Sequence, residues 1–369
     1  MKAEKVYDVA IIGAGASGLQ LLYELIQADK DQQLSILLFD SGDRTSKSWC
    51  FWTSDTETSF PFLVEKSWKK MRFCNSQNQT KAESIAPYSY HYISSSHFFS
   101  YFFEKFIPND PRIVWVNQKV KQVSENASDV VVICENGQQF KALKVADSRL
   151  EYIPENGIKQ HFSGKFISFD QAIFDSDCFT IMDFSLGFST SEMAVFHYIL
   201  PFSPHQALIE TTVFTSKDFD SKLYSSIWSD YVKQKFGNKP FQILSEENGS
   251  IPMHRIVGPK PTKIFKIGVS AGKIKPSTGY AFNRMHQHAK SIANQNEFTT
   301  PKRFAFYDKM LLKIMKNEMI QIPSVMDRLF AKVSFVDILR FLDDKSSLSQ
   351  DISLLSKLDI PLFLKHFLK

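Results

Sequence analysis

Near the start of the chain, Gly13-Ala14-Gly15-Ala16-Ser17-Gly18 has the spacing G-x-G-x-x-G. Set between a strand and a helix, such a run turns tightly at its first glycine, lets backbone approach a pyrophosphate at its second and packs the helix closely at its third. The free N–H groups at the helix start then form an anion site. Asp40 closes the next apolar run about 20 residues on, where an acid can accept hydrogen bonds from an adenosine ribose. Dinucleotide binding is the chemistry this implies, a purely structural glycine turn being the alternative. The fingerprint serves nicotinamide and flavin enzymes alike, and its N-terminal place in a long chain points to FAD. A later stretch agrees: Ile267-Gly268-Val269-Ser270-Ala271-Gly272 reads as strand then glycine turn, and Pro276-Ser277-Thr278-Gly279-Tyr280 opens a helix aimed at the cofactor, unless it is an ordinary loop.

An acid stands elsewhere in an apolar run. In Leu208-Ile209-Glu210-Thr211-Thr212, strand alternation puts Leu208, Glu210, Thr212 and Phe214 on one face, where desolvation favours a neutral, proton-bearing carboxyl. An exposed strand glutamate, or a core carboxylate paired with an arginine, is the plainer reading. Trp49, Phe51 and Trp52 offer ring faces to a cation or a long apolar ligand, or are simply core. Asp183 positions a base or caps a loop, and Arg149 meets a phosphate or pairs with an acid. His254 and His286 read as satisfied polar residues. The four cysteines form no CxxC pair and have no histidine spacing that collects a metal, so they read as free thiols in a reducing compartment, with no metal site.

The elements that must carry these residues follow from periodicity. Tyr7 to Ile12 is a β-branched run ending on glycine; Leu19, Leu22 and Ile26 then recur at helical spacing, and Leu34 to Phe39 is a second apolar run, which together make a βαβ unit with parallel strands. Residues 41 to 111 read as an irregular excursion with a helix around Ser96 to Phe106. Short runs return at Ile113 to Val116, Val130 to Cys134 and Gln139 to Ala142, with Asn136-Gly137 as a hairpin signal. Ala194 to Leu200 and Ala207 to Phe214 predict a second sheet, and helical spacing from Phe304 onward predicts a cap of helices.

A chain of 369 residues can divide its core between two units. With 43% hydrophobic and 22% charged residues it is an ordinary packed protein, and a net charge of +5 is too small to argue for nucleic acid. Phenylalanine is the outlier at 34 residues. Most must be core, while those in lysine-containing stretches such as Phe363-Leu364-Lys365-His366-Phe367 suit an apolar, basic-rimmed patch at a membrane surface. No run reaches the roughly 20 apolar residues that would span a bilayer.

The glycine fingerprint, Lys47-Ser48-Trp49-Cys50-Phe51-Trp52, Asp147-Ser148-Arg149, Gln160-His161-Phe162-Ser163-Gly164, Ile181-Met182-Asp183-Phe184, the stretch around Glu210, and Lys275-Pro276-Ser277-Thr278-Gly279-Tyr280-Ala281-Phe282 follow one another along the chain. In these motifs and their order, across nearly its whole length, the chain resembles the lycopene cyclases of the bacterial β-cyclase type. Two positions depart from the family pattern: Ser270 stands where many FAD enzymes carry an aspartate, and Glu210 is followed by Thr211 instead of a second acid.

The resemblance implies an α/β protein: a Rossmann-type FAD-binding domain (1–150, resuming at 256–300), a β-rich substrate domain (151–255) and a helical C-terminal portion (301–369). It implies closure of the acyclic end groups of lycopene, or a related acyclic carotenoid, to β-rings with reduced FAD, NAD(P)H as reductant and no net redox. Glu210 would be the acid–base residue with Asp183 beside it; Gly13, Ala14, Gly15, Ala16, Ser17, Gly18, Asp40, Gly272, Thr278 and Gly279 would hold FAD; Trp49, Phe51, Trp52 and Tyr280 would hold the polyene. A water-insoluble substrate implies a cytoplasmic protein held peripherally on the cytoplasmic membrane. The rival expectations are an FAD monooxygenase or a polyprenyl or carotenoid reductase, and a non-catalytic flavin or carotenoid carrier.

Overall fold

The computed structural model describes residues 5–42, 46–54, 59–150 and 157–367. The opening βαβ unit forms as its periodicity requires: strand Val6–Ile12, helix Ala16–Ala28 and strand Ile36–Phe39, with Val9 opposite Ile36 in parallel register. Leu19, Leu22 and Ile26 are the buried face of the helix. The strands belong to a seven-stranded sheet ordered Ile113–Val116, Ile36–Phe39, Val6–Ile12, Gln139–Asp147, Val130–Cys134 and Val120–Glu125, with Ile264–Lys266 added beside Gln139–Asp147. That last strand carries the chain from residue 264 back to the first sheet, directly ahead of the second glycine turn.

A second seven-stranded sheet runs in the order Phe241–Pro252, Lys159–Phe169, Gln206–Thr215, Met193–Pro201, Cys178–Asp183, Lys70–Cys74 and Thr80–Ser84. One face packs on helix Ser221–Phe236, where Trp228, Tyr231 and Val232 meet Ile167, Ile199 and Ile209. The other face looks toward the C-terminal helices Lys302–Asn317, Ile322–Lys332, Phe335–Leu342, Leu348–Leu355 and Ile360–Phe367. Phe73 stacks on Phe330 there, with ring centres 4.3 Å apart and planes 3° from parallel.

The stretch 41–111 is not an irregular excursion. Its described residues hold five strands, of which Ser48–Ser54, Tyr88–Ser94 and Lys66–Trp68 form a small third sheet. Lys70–Cys74 and Thr80–Ser84 extend the second sheet, so residues 1–150 contribute to both large sheets. The strand Tyr88–Ser94 escapes a local reading because its polar positions are buried as well as its apolar ones. His91 lies 3.1 Å from the Thr53 hydroxyl and 2.8 Å from the Ser67 hydroxyl, partners on the two flanking strands that only the pairing supplies. The helix expected at 96–106 begins at Ser95, capped by Ser94, and widens into a π-helical turn over Tyr101–Phe106. The junction expected at residue 151 falls outside the described residues.

Candidate active site

The glycine turn has the form a dinucleotide needs. Gly13 adopts φ +94°, and a Cβ at Gly18 would come within 1.9 Å of the Gly13 carbonyl oxygen. A Cβ at Gly15, by contrast, would meet nothing within 4 Å, so the backbone opens on free space at the N-terminus of the helix. Ala16 and Ser17 border a cavity of about 950 Å³ that extends from this turn across the inner face of the second sheet to the C-terminal helices. Thr278 and Gly279 border it too, and the Thr278 hydroxyl oxygen is buried there without a hydrogen-bond partner. An open cradle at Gly15 and a buried unpaired hydroxyl are what a diphosphate-bearing cofactor would complete.

Ala14 is buried behind the turn, and Asp40 lies at the carboxyl end of the strand Ile36–Phe39, at the expected edge. Gly272 stands apart: it ends the short helix Gly268–Ala271 and is pressed on the Ile256 carbonyl, so it shapes the turn without bordering the cavity. The Ser270 hydroxyl is turned to the backbone, 2.7 Å from the Ile267 carbonyl and 3.2 Å from that of Asp147. Arg149 pairs with Asp147, its Nε and Nη2 each 2.9 Å from a carboxylate oxygen, which settles its choice in favour of an acid.

Leu208, Glu210, Thr212 and Phe214 all face the cavity, as alternation requires. Glu210 borders the cavity instead of bulk water. Desolvation, with the Glu247 carboxyl beside it, pushes its pKa up to about 8, against one hydrogen bond from the Thr212 hydroxyl at 2.7 Å. Burial likewise raises the pKa of Glu247, opposed by the Ser48 hydroxyl, which donates to it at 2.8 Å. Near the pair, the Tyr198 hydroxyl donates to that of Tyr90, and the Tyr90 and Tyr280 hydroxyls lie 3.0 Å apart. All three rings and Cys50 border the cavity, and burial keeps the tyrosines and the thiol neutral. The remaining surface is mostly apolar side chains from the second sheet and the C-terminal helices.

Residues 8–364 match the family model described as lycopene cyclase protein. This chain belongs to the lycopene cyclase family. Among its relatives are the chromoplastic capsanthin/capsorubin synthase of Citrus sinensis, 23% identical over 78% of this chain and 59% of that protein. The lycopene beta cyclase of Capsicum annuum is 24% identical over 78% of this chain and 60% of that protein. The chain thus spans about 60% of the length of these relatives. In fold it is similar to a geranylgeranyl bacteriochlorophyll reductase-like protein of Thermoplasma acidophilum, with a TM-score of 0.60, 14% identity and 99% and 96% of the two chains covered. It is also similar to p-nitrophenol 4-monooxygenase of Pseudomonas putida, with a TM-score of 0.58, 11% identity and 98% of each covered. These likenesses support a Rossmann-type FAD-binding fold with a β-rich second sheet and a helical C-terminal portion.

Within this member of the lycopene cyclase family, some expected site residues are not brought together. Asp183 lies on the opposite side of the second sheet from the cavity. It accepts from Tyr231 at 2.8 Å, pairs with Lys235 at 2.8 Å and is bonded by Ser185, contacts that hold its carboxyl below the usual range against burial. Phe51 and Trp52 do not border the cavity. Phe51 stacks on Phe282, while Trp52 donates to the Leu339 carbonyl and sets its ring edge against Tyr280. Trp49 and Tyr280 do border it. Sequence reasoning missed Glu247, Tyr90 and Tyr198. Glu246 and Glu247 are adjacent acids on one strand, and only the packing of that strand's inner face says which one turns inward.

Proposed function

We propose that this protein closes the acyclic end groups of lycopene, or a related acyclic carotenoid, to β-rings by acid–base carbocation chemistry without net redox. The observation that carries the reading is a carboxyl held protonated at neutral pH, Glu210, facing a large apolar cavity in a member of this family. Protonating an isolated double bond needs a positioned neutral acid and surroundings free of competing water. Glu210 supplies the acid, and the apolar faces of Leu208, Phe162 and Phe196 keep water from the polyene. Tyr90, Tyr198 and Tyr280 border the cavity with a linked set of neutral hydroxyls.

The fingerprint residues Gly13 to Gly18, Asp40, Thr278 and Gly279 would hold FAD. Bound in its reduced form, with NAD(P)H as the reductant, FAD would supply an electron-rich group that stabilises positive charge. The substrate reaches the site from a bilayer surface. Phe306, Ile352 and Ile360 both border the cavity and are exposed, and Lys302 and Lys309 are exposed on the helix that carries Phe306. Among the described residues no helix is long and apolar enough to cross a membrane. Peripheral attachment to the cytoplasmic membrane is therefore part of the proposal.

Expression in a lycopene-accumulating bacterium, followed by pigment analysis, tests the reading. Cyclic carotenoid of unchanged mass is expected. A product two hydrogens heavier would indicate a reductase, one oxygen heavier a monooxygenase, and unchanged lycopene beside soluble, flavin-loaded protein would reject cyclisation.

A further inference from the structure

Glu210 is not the only acid on the inner face of the second sheet. The central strand Lys159–Phe169 has Gly164 opposite Glu210 on one neighbour and opposite Glu247 on the other. Both strand pairs are antiparallel, so the two glutamates sit two strand spacings apart on the same face. A Cβ at Gly164 would lie 3.4 Å from Cγ of Glu247 and 3.5 Å from Cγ of Glu210. The bare backbone of this glycine therefore lets the two side chains converge over it. Both border the cavity, and neither is paired with a lysine or arginine among the described residues.

The groups facing them are Ser48 and Cys50 on one strand of the small sheet, Tyr90 and Tyr92 on another, Tyr198 and Thr212 on the second sheet, and Tyr280 in the turn before the helix Phe282–Ala293. All are neutral at physiological pH, so no facing cation offsets the repulsion between the two carboxylates. Two neighbouring buried carboxyls repel when both are ionised, which favours the state in which only one of them is charged.

We infer that Glu247 is a second catalytic residue, the base that takes up the ring proton after Glu210 has delivered its own, the two acting as one single-proton pair built over Gly164. The inference rests on the cyclisation proposed above. In the forward step the Glu210 O–H bond breaks and a C–H bond forms at the terminal double bond. The π electrons of the neighbouring double bond form the ring C–C bond. A ring C–H bond then breaks to leave the new double bond, and its proton goes to the Glu247 carboxylate. One proton enters and one leaves, with no electrons gained or lost. The pair ends with its proton on the other carboxyl, and return of that proton to Glu210 restores the starting state.

The roles follow from the surroundings. Glu210 lies opposite Tyr198, among buried rings, and carries the extra repulsion of its partner, which favours its neutral form. Glu247 is stabilised as the anion by Ser48.

The experiment compares pH–rate profiles of wild type, Glu247→Gln and Ser48→Ala, with ¹³C titration of the glutamate carboxyls in parallel. Wild type should show a bell, its acid limb set by protonation of Glu247 and its alkaline limb by ionisation of Glu210. Glu247→Gln keeps an acceptor for Ser48 and should lose roughly 10²-fold in rate, a loss of the size expected for one acid–base group. It should also lose the acid limb and move the alkaline limb, with the Glu210 titration, to lower pH, because the repelling charge is gone. Ser48→Ala changes no carboxyl and should move the acid limb to higher pH with the fold intact, which reads the same group should the first variant not fold. Wild-type cyclisation with an unchanged rate and bell in Glu247→Gln, or an unmoved acid limb in Ser48→Ala, overturns the inference alone. Absence of cyclic product from wild type overturns the proposed function beneath it.

Discussion

At the residue scale the proposed cyclisation begins at a carboxyl, Glu210, whose burial favours its neutral form. Glu210→Gln keeps shape and hydrogen-bonding capacity but has no proton of the right acidity, so cyclised product should fall by roughly 10²-fold or more. Thr211, buried on the other face of the strand, should be nearly silent as Thr211→Ala in product assays. Stability gives an independent check with a definite sign. An ordinary glutamate titrates near 4.5, whereas in the folded protein Glu210 titrates at about 8. Its contribution is thus present at low pH and is lost as pH rises through that higher value. Glu210→Gln should therefore leave the melting temperature near wild type at pH 5 and raise it progressively to pH 9, by the equivalent of a few kcal/mol at most. A wild-type advantage that grows with pH would contradict the assignment. Glu210 was legible in the sequence because alternation is a local rule and the neighbours at 208, 212 and 214 obey it. Asp183 was misleading for the complementary reason: an acid at the end of a strand looks the same whether it meets substrate or, as here, Lys235 and Tyr231 from a helix some fifty residues away.

At the scale of elements, two turns must be held in place. Gly15→Val would fill the open space over the helix N-terminus without disturbing packing, so it should fold and yet copurify without FAD, read as lost flavin absorbance after gel filtration. The turn that carries Thr278 and Tyr280 is tied from behind. Lys275 is 2% exposed and lies 2.8 Å from both Asp308 and Asp344, while Ser277 donates to Asp308 at 2.6 Å and Arg284 pairs with Asp344. Burial brings the pKa of this lysine down to about 8 against the pull of Asp308. Lys275→Met would leave two aspartates buried without their shared partner, and a destabilisation of about 3 kcal/mol, seen in denaturant unfolding, is expected. The turn's composition was readable from Pro, Ser and Gly. The salt-bridge network was not, because Asp308 on the helix Lys302–Asn317 and Asp344 in the turn after the helix Phe335–Leu342 converge on Lys275 only in the folded chain.

On the scale of the whole molecule, the cavity joins the nucleotide-type sheet to the C-terminal helices, and its exposed end is apolar. Replacing Phe306, Ile352 and Ile360 together by serine should lower the fraction bound to anionic phospholipid vesicles at least several-fold, since even partial burial of each side chain contributes about 0.5–1 kcal/mol. Activity on detergent-dispersed substrate should change less. Cosedimentation equal to wild type would place the lipid contact elsewhere.

Some of this architecture is determined by the sequence alone. The βαβ opening, the glycine fingerprint, the inward face of the Glu210 strand and the helical tail are set by periods of 2 and 3.6 residues and by glycines at fixed offsets, which act over a few residues and need no partner. The tertiary structure decided the rest. Strand pairing carried 70–84 into the second sheet, satisfied His91 from both sides and set Glu247 beside Glu210 across Gly164. Those outcomes depend on which distant segments lie next to one another, and burial of a carboxyl, with its effect on acidity, exists only once they do.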